Sequence, residues 1–332
     1  MVTAARPARH LISLSDLPGS ALNDVVERGA ALARLAAGSP VAEDSVSERP
    51  VKQTTVTEST PLAGAVVGIY FSKTSTRTRT AFSSGALRLG AGIVTFGPGD
   101  LQLNTGETGE DTGRVLSGML DALVARTAGD PAEMRGWAAQ QRMSVINAMS
   151  ADEHPTQGLA DLTTLTLRFG SIEGLHVLYV GEGNNSAAAL ALGLSRYHGA
   201  SLDLRTPPGY GLEPGLRERA LAQAAASGAA VRERHDLADL PDGLDVVYTT
   251  RWQTTGTSKP DPGWHAVFEP FQVNERLMAR APKAVFMHDL PAHRGEEVTA
   301  EVLDGPDSIA FDQARNKMYS AMAVLEWCRG CY

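Results

Sequence analysis

A short polar stretch with three hydroxyl groups and an arginine, Ser75, Thr76, Arg77 and Thr78, can do chemistry on an anion. The apolar, β-branched residues 65–70 predict a buried strand before it, and residues 81–89 predict a helix after it. A strand-to-helix turn offers free backbone N–H groups and the positive end of a helix dipole. Arg adds a planar fork that binds two phosphate oxygens. The pattern predicts a phosphate site, although a solvated basic turn with Ser and Thr as helix caps stays open.

More polar side chains follow other predicted strands. The apolar run 122–125 ends at Arg126, and the strand 144–148 is followed by His154, Gln157 and Asp161 at the start of a helix that reaches residue 167. The spacing of the last three allows them to share one helix face. Ligands bind at the carboxyl ends of parallel strands, so these residues are candidates for the same site. A capping or surface histidine is the alternative for His154.

Two further patterns are weaker signals. The strand 175–180 leads into Gly181-Glu-Gly183, which is half of a dinucleotide fingerprint, but Ser186 stands where the third glycine is required. Asp203 keeps a dehydrogenase interpretation open. The pair Cys328 and Cys331 has no second ligand pair, so we expect no metal and no redox role.

Composition limits the function classes. The 332 residues suggest two domains, and the net charge of −8 argues against a general nucleic-acid or anionic-membrane binder. No apolar run approaches the length of a membrane-spanning helix, and the first residues lack a long apolar core, so we expect a cytoplasmic protein.

The remaining pattern alternates strands and helices, with a helix over 11–35, a surface insertion over 38–62 and a polar loop over 97–113. A helix over 114–120, a loop over 250–263 and a final helix over 312–328 are also predicted. Further strands are expected at residues 92–96, 201–204, 245–249 and 284–287.

Taken together, the phosphate turn, Arg126, His154-Pro155-x-Gln157 and Leu290-Pro291 resemble the aspartate/ornithine carbamoyltransferase family over essentially the whole chain. Residues 181–185, 206–210 and 288–298 are similar to its ornithine branch. The resemblance implies an α/β fold of two doubly wound parallel-sheet domains joined by interdomain helices. It implies a carbamoyl-phosphate domain over 1–150 with the helix 312–330 packed back on it, an acceptor domain over 151–311, and a homotrimer with sites between subunits.

The resemblance also assigns roles. It implies that Ser75, Thr76, Arg77 and Thr78 bind the phosphate of carbamoyl phosphate, and that Arg126, His154 and Gln157 hold its carbamoyl group, with Lys317 at a position where relatives have Arg. Arg77, Thr78, Arg126, His154 and Gln157 would be catalytic. The implied acceptor residues are Asn185, Thr250, Thr254, Thr255, Asp289 and Leu290. An amine attacks the carbonyl carbon and phosphate leaves, so no cofactor is expected.

This chain departs from the family pattern on the acceptor side. Ornithine enzymes typically carry Asp where this chain has Thr250, Ser-Met where it has Thr254 and Thr255, and Cys where it has Asp289. Arg251 adds a cation beside Thr250. Relatives often place Arg or Lys where this chain has Thr105. We therefore expect an acceptor other than free ornithine.

A primary amine such as that of 2,3-diaminopropionate, free or within a peptide, is the acceptor we favour, and the implied setting is antibiotic biosynthesis. The alternatives are an ornithine carbamoyltransferase making citrulline and a non-catalytic homologue that binds carbamoyl phosphate.

Overall fold

The computed structural model describes residues 7–38, 60–254 and 257–332. Most of the predicted surface insertion, residues 39–59, lies outside the described residues, and so does Thr255 of the expected acceptor set. Among the described residues, no helix combines the length and the apolar character needed to cross a bilayer.

The first sheet is parallel and has four strands in the order β2-β1-β3-β4. The strands are β1 (Val66–Phe71), β2 (Gly92–Phe96), β3 (Ala122–Arg126) and β4 (Ser144–Asn147). Every residue of β3 and β4 is buried, which explains their continuous apolar character. Phe71 pairs with Arg126 in register, so the end of β1 and the end of β3 lie side by side.

The second sheet is parallel and has five strands in the order β7-β6-β5-β8-β9. They are β5 (His176–Val180), β6 (Ser201–Arg205), β7 (Ala230–Arg234), β8 (Val246–Thr249) and β9 (Val285–His288). Thr249 pairs with His288 in register, so the segments after β8 and β9 begin next to each other. The prediction of two parallel-sheet α/β units is confirmed.

Helices connect and cover the sheets. They are α1 (Ala21–Gly38), α2 (Arg77–Arg88), α3 (Gly109–Leu116), α4 (Pro131–Trp137), α5 (Pro155–Phe169), α6 (Asn185–Leu194), α7 (Pro214–Ser227), α8 (Trp264–Phe268), α9 (Glu275–Met278), α10 (Ala300–Leu303) and α11 (Ala310–Arg329). Short 3-10 turns occur at Leu14–Asp16, Gln102–Thr105 and Glu269–Phe271.

The helix α11 packs against α1, α2 and α5. Arg28 of α1 makes a two-pronged ion pair with Glu326 of α11, with N–O distances of 2.5 and 2.7 Å. The buried core cluster at this junction includes Val67 of the first sheet and Tyr179 of the second. A division of the chain into domains near residue 150 remains our proposal.

Several predicted boundaries were wrong. The helix after the phosphate turn begins at Arg77 and not at residue 81, because its first turn is polar and buries only Thr78. The helix expected over 114–120 is α3, which begins at Gly109 behind the Thr108 cap. The helix expected over 11–35 begins only at Ala21, after a 3-10 turn and Pro18. The sequence analysis did not predict α4 or β7.

Candidate active site

A cavity of about 270 Å³ lies where strands of both sheets end. It is lined by the last residue of β3, by segments that follow β1, β4, β5, β8 and β9, and by one side chain of α11. Each described residue of the predicted site lines this cavity: Ser75, Thr76, Arg77, Thr78, Arg126, His154, Gln157, Asn185, Thr250, Thr254, Asp289, Leu290 and Lys317. The topology has therefore brought together residues that are separated by more than 200 positions in the chain.

The phosphate turn joins β1 to α2. The backbone N–H of Ser72 donates to the carbonyl of Arg126 at 3.0 Å, which ties the turn to the end of β3. Thr76 precedes α2 and Arg77 is its first residue, so the free N–H groups of the helix N-terminus lie at the cavity. The first turn of α2 contains no acidic residue that would occupy this anion site.

Two arginines present unpaired nitrogen atoms here. The buried Nε atoms of Arg77 and Arg126 have no hydrogen-bond partner. Burial lowers the pKa of both, that of Arg126 to about 10, with the nearby carboxylate of Asp289 opposing the shift. Both guanidinium groups are still protonated at neutral pH. Buried cationic nitrogen atoms without a partner favour an anionic ligand.

His154 is neutral in this site. It directly precedes α5, and its Nδ1 lies 3.3 Å from the hydroxyl oxygen of Thr156. Burial lowers the pKa of His154 well below its ordinary value, and the positive charges of Lys317, Arg126 and Arg77 lower it further. A neutral imidazole offers one donor nitrogen to a carbonyl oxygen without adding another charge.

Gln157 is held by a chain of hydrogen bonds. Lys317 of α11 donates to its Oε1, and its Nε2 donates to Oδ1 of Asp161 at 2.6 Å. Asp161 was predicted to share the helix face of His154 and Gln157, but it lies behind Gln157 and does not line the cavity. It accepts further hydrogen bonds from Gln313 and from the hydroxyl of Tyr248. Burial raises the pKa of Asp161 and lowers that of Lys317.

Thr250 also lines the cavity, and its side chain is hydrogen-bonded within the protein. Its hydroxyl hydrogen-bonds to the hydroxyl of Tyr179 at 2.8 Å and accepts from Nδ2 of Asn184 at 3.0 Å. Asn185 donates its Nδ2 hydrogen to the carbonyl of Ser150 at 2.9 Å. The hydroxyl of Thr254 donates to Glu182 at 3.2 Å.

The charges of the lining are uneven. Arg77, Arg126, Arg251 and Lys317 are cationic, whereas Asp289 is the one carboxylate among the described lining residues. Leu290, which follows Asp289, has a φ of +52° and precedes a cis peptide bond to Pro291. Its backbone N–H donates to Nδ1 of His288 at 2.8 Å, which fixes this turn.

Two family models match this chain. The carbamoyl-phosphate-binding domain of the aspartate/ornithine carbamoyltransferases matches residues 9–166, and the aspartate/ornithine-binding domain matches residues 173–328. The chain belongs to the aspartate/ornithine carbamoyltransferase family. It is therefore an enzyme of the carbamoyltransferase class.

Individual relatives of this carbamoyltransferase agree. It is 40% identical to an ornithine carbamoyltransferase of Methanothermobacter thermautotrophicus over 272 residues, which are 81% of this chain and 89% of the relative. It is 38% identical to one of Brucella abortus over 96% of this chain and 95% of the relative. The structure of ornithine carbamoyltransferase from Pyrococcus furiosus aligns with a TM-score of 0.85 at 34% identity, and the alignment covers 97% of this chain and 98% of that one.

The carbamoyltransferase cavity also contains residues that the sequence analysis had not assigned to the site. Asn184, Ser186, Arg251 and Gln253 line it. Ser186 had been noted only because a glycine was missing there, yet its hydroxyl donates to Asp289 at 2.8 Å. The signal that could have found Ser186 is its place in the first turn of α6, directly after β5.

Asp203 and the two cysteines do not line the cavity. Asp203, which kept a dehydrogenase open, accepts a hydrogen bond from Nε of Arg205 at 2.6 Å, and both side chains are buried. Cys328 is buried and Cys331 is exposed, and both are free thiols.

His293, Glu296 and Glu297, which the sequence analysis did not single out as metal ligands, have ligand atoms within 4.8 Å of one another. Oε1 of Glu297 already accepts a hydrogen bond from the backbone N–H of His293 and is hydrogen-bonded to Nε2 of His288. This carboxylate oxygen therefore serves the turn after β9.

Proposed function

We propose that this enzyme transfers the carbamoyl group of carbamoyl phosphate to a primary amine of an acceptor other than free ornithine, and releases a ureido product and phosphate. The observation that carries this proposal is the charge pattern of the acceptor side. Its carboxylate is Asp289, whereas the position of the usual ornithine-binding carboxylate holds Thr250, whose hydroxyl is engaged with Tyr179 and Asn184.

In this proposal the donor half of the cavity binds carbamoyl phosphate. The hydroxyl and N–H groups of Ser75, Thr76 and Thr78 and the guanidinium of Arg77 surround the phosphate oxygens. Arg126 and His154 donate to the carbamoyl oxygen, and Gln157, held by Lys317, contacts the carbamoyl amide. The unpaired nitrogens of Arg77 and Arg126 support this assignment, since an anion would satisfy both.

The chemistry follows from this placement. The neutral amine attacks the carbamoyl carbon and forms a C–N bond, negative charge develops on the carbonyl oxygen, and the C–O bond to phosphate breaks. The amine proton leaves with the phosphate or passes to Asp289. Arg126, His154 and Thr78 stabilise the developing charge, an effect of roughly 3 to 4 kcal/mol for one well-placed donor. Holding the two reactants in line supplies a further part of the acceleration.

The acceptor side disfavours free ornithine. The ammonium of ornithine would lose its carboxylate partner at position 250 and would face the additional positive charge of Arg251, which lines the cavity and has a buried, unpaired Nε. A charge-assisted hydrogen bond contributes about 1.5 to 3 kcal/mol, so its loss weakens binding by tenfold or more. Asp289 offers a replacement partner at another position.

We propose a short diamino acid of the 2,3-diaminopropionate type as acceptor, free or within a peptide, and a role in antibiotic biosynthesis. An intact donor half beside an altered acceptor half supports specialised metabolism, and the choice of amine rests on analogy between carbamoyltransferases. Ornithine carbamoyltransferase activity is the second candidate, because the similar proteins carry that name over most of the chain.

A ureido-product assay with carbamoyl phosphate and a panel of amines tests the proposal. The panel contains ornithine, N-acetylornithine, putrescine, lysine, 2,3-diaminopropionate and a diaminopropionyl peptide. We expect the highest kcat/KM with an amine other than ornithine. Efficient turnover of ornithine above all the others would overturn the proposal and favour the second candidate.

We further propose that the enzyme is a cytoplasmic homotrimer, in keeping with the family resemblance. Size-exclusion chromatography coupled to light scattering would then give a molar mass three times the 35.1 kDa of one chain. A monomer at micromolar concentration would contradict this assembly.

A further inference from the structure

Lys259 lies in an unusual environment for a lysine between β8 and α8. Its side chain is 4% exposed, and its ammonium nitrogen lies 4.7 Å from the ring centre of Tyr210, 4.8 Å from that of Phe268 and 5.3 Å from that of Trp264. The same ammonium makes an ion pair with Oε1 of Glu182. We call these four partners the Lys259 cage.

Contacts run from the Lys259 cage to the reaction cavity. The other carboxylate oxygen of Glu182 accepts the hydroxyl hydrogen of Thr254 at 3.2 Å. The backbone carbonyl of Glu182 accepts from the hydroxyl of Tyr179 at 2.6 Å, and that hydroxyl also contacts Thr250. Thr250 and Thr254 line the cavity, whereas Lys259 itself does not. Lys259 can therefore act on the acceptor side only through these neighbours.

The backbone segments that carry Glu182 and Tyr210 of the cage are closely packed against each other. Glu182 lies on the turn between β5 and α6, where the N–H of Gly183 donates to the carbonyl of Tyr210 at 2.8 Å. A Cβ atom at Gly183 would lie 2.3 Å from the backbone of Gly211, so two backbone segments touch here. Lys259, by contrast, lies outside the helices and strands of the described residues, and its contacts with the cage attach it to this turn.

The physical chemistry makes the attachment strong. A lysine ammonium that is removed from water is stable only with compensating partners, and here a carboxylate and three ring faces supply them. The low dielectric constant of this buried place strengthens both interactions. Lys259 and two residues of its cage, Glu182 and Tyr210, also line a second cavity of about 350 Å³. This cavity shares Met149, Asn184, Asn185 and Thr254 with the reaction cavity.

We propose that Lys259 is a positioning residue for the acceptor. By fastening the connection after β8 to Glu182, it holds Thr250, Arg251 and Thr254 at the acceptor side of the cavity. The proposal rests on the proposed function in so far as these residues face the amine. It predicts that loss of the ammonium weakens acceptor binding and leaves the carbamoyl phosphate side intact.

The test compares Lys259→Met, which keeps the length and apolar character of the chain, with Lys259→Arg, which keeps the charge. Lys283→Met is the matched control, because Lys283 is exposed. Steady-state kinetics give the KM for the best amine of the panel, the KM for carbamoyl phosphate and kcat. Acrylamide quenching of tryptophan fluorescence is measured separately and needs no substrate.

We expect Lys259→Met to raise the acceptor KM about tenfold with kcat and the carbamoyl phosphate KM within twofold of the wild type. Lys259→Arg should restore the acceptor KM to within threefold. Quenching should rise in Lys259→Met alone, because Trp264 belongs to the cage, Trp252 packs against Phe268 of the cage, and both tryptophans are buried in the wild type.

Other outcomes overturn the proposal. A lower melting temperature with an unchanged acceptor KM would show that Lys259 only stabilises the fold. An equal loss in kcat and in both KM values would indicate general damage. If the wild type turned over no amine of the panel, the proposed function would fail by itself. Quenching alone would then test whether Lys259 positions the segment after β8. Equal quenching in Lys259→Met and Lys283→Met would refute that role.

Discussion

The hydroxyl of Ser186 donates a hydrogen bond to Oδ2 of Asp289 over 2.8 Å. This contact joins the first turn of α6 to the segment after β9, and it fixes the orientation of the carboxylate that lines the acceptor side. A carboxylate that already accepts one hydrogen bond keeps lone pairs for an ammonium. Ser186 and Asp289 therefore form one unit, and the exchange of Asp289 alone will not transfer the specificity of relatives.

The acceptor side can be tested by restoring the pattern of the ornithine enzymes. The double variant Thr250→Asp with Asp289→Cys returns a carboxylate near Asn184 and removes the one that Ser186 holds. We expect kcat/KM for ornithine, measured from the citrulline formed, to rise at least tenfold. This factor corresponds to the free energy that one charge-assisted hydrogen bond contributes. The two single variants serve as controls. A well-folded double variant without any gain would contradict our account of acceptor binding.

The donor side depends on the two arginines with unpaired Nε atoms. Arg77→Ala or Arg126→Ala should lower kcat/KM for carbamoyl phosphate by roughly 10³-fold, because each removes a charge-assisted contact made in a buried place. Circular dichroism should show an intact fold. Arg88→Ala, at the exposed end of α2, is the matched control and should retain its activity. Near-normal rates in either cavity variant would disprove the assigned phosphate site.

Lys317 makes carbamoyl phosphate binding depend on pH. Burial lowers the pKa of its ammonium to about 8, with the Asp289 carboxylate opposing, so the charged form prevails below that pH and is lost above it. We expect kcat/KM for carbamoyl phosphate to fall about fivefold from pH 8 to 9, because the protonated fraction of a group with a pKa of about 8 drops from one half to about one tenth. Lys317→Arg should remove this decline, since a guanidinium stays charged. Identical pH profiles for the two proteins would show that another group is responsible.

Glu153 should make stability depend on pH. It is buried, it accepts the N–H of Leu14 at 2.8 Å, and burial raises its pKa from the ordinary 4.5 to about 7. The folded state therefore binds a proton more tightly, and this stabilisation is complete below pH 4.5 and lost as the pH rises through 7.

Glu153→Gln keeps the acceptor oxygen and cannot ionise. The variant should be more stable than the wild type at pH 8. The difference in the free energy of unfolding between the two proteins should be about 3 kcal/mol larger at pH 8 than at pH 4.5, because the pKa is raised by roughly two and a half units. Urea unfolding at both pH values measures it. The exposed Glu218→Gln is the control, and a pH-independent difference for Glu153→Gln would refute the raised pKa.

The strands that lead to most residues of the proposed donor half could be predicted from the sequence, because they are buried and mostly apolar. Val66–Phe71, Ala122–Arg126 and Ser144–Asn147 are recognisable as buried strands, and parallel strands bring the residues that come after them to one edge of the sheet. The edge strand Ala230–Arg234 was missed, because its three charged residues mask the pattern of a strand.

The contacts on the acceptor side lay beyond sequence reasoning. Ser186 and Asp289 are 103 residues apart. The rings around Lys259 come from Tyr210 and, more than 50 residues later, from Trp264 and Phe268 of α8. Which side chains meet at such places depends on the angles between packed elements, and these are not encoded in local periodicity. A lysine in a polar connection gives no sign that it will be buried.

The packing of α11 against α1, α2 and α5 has a consequence for synthesis on the ribosome. The apolar faces of α1, α2 and α5 emerge from the ribosome long before residues 310–329 have been synthesised to cover them. At 5 to 20 residues per second, the nascent chain waits roughly 10 to 30 s between the end of α5 and the end of α11. During that interval it is a natural client for a holding chaperone. Ribosome-bound chains arrested before α11 should therefore be cut by protease within their first half, and resistance there would refute this view.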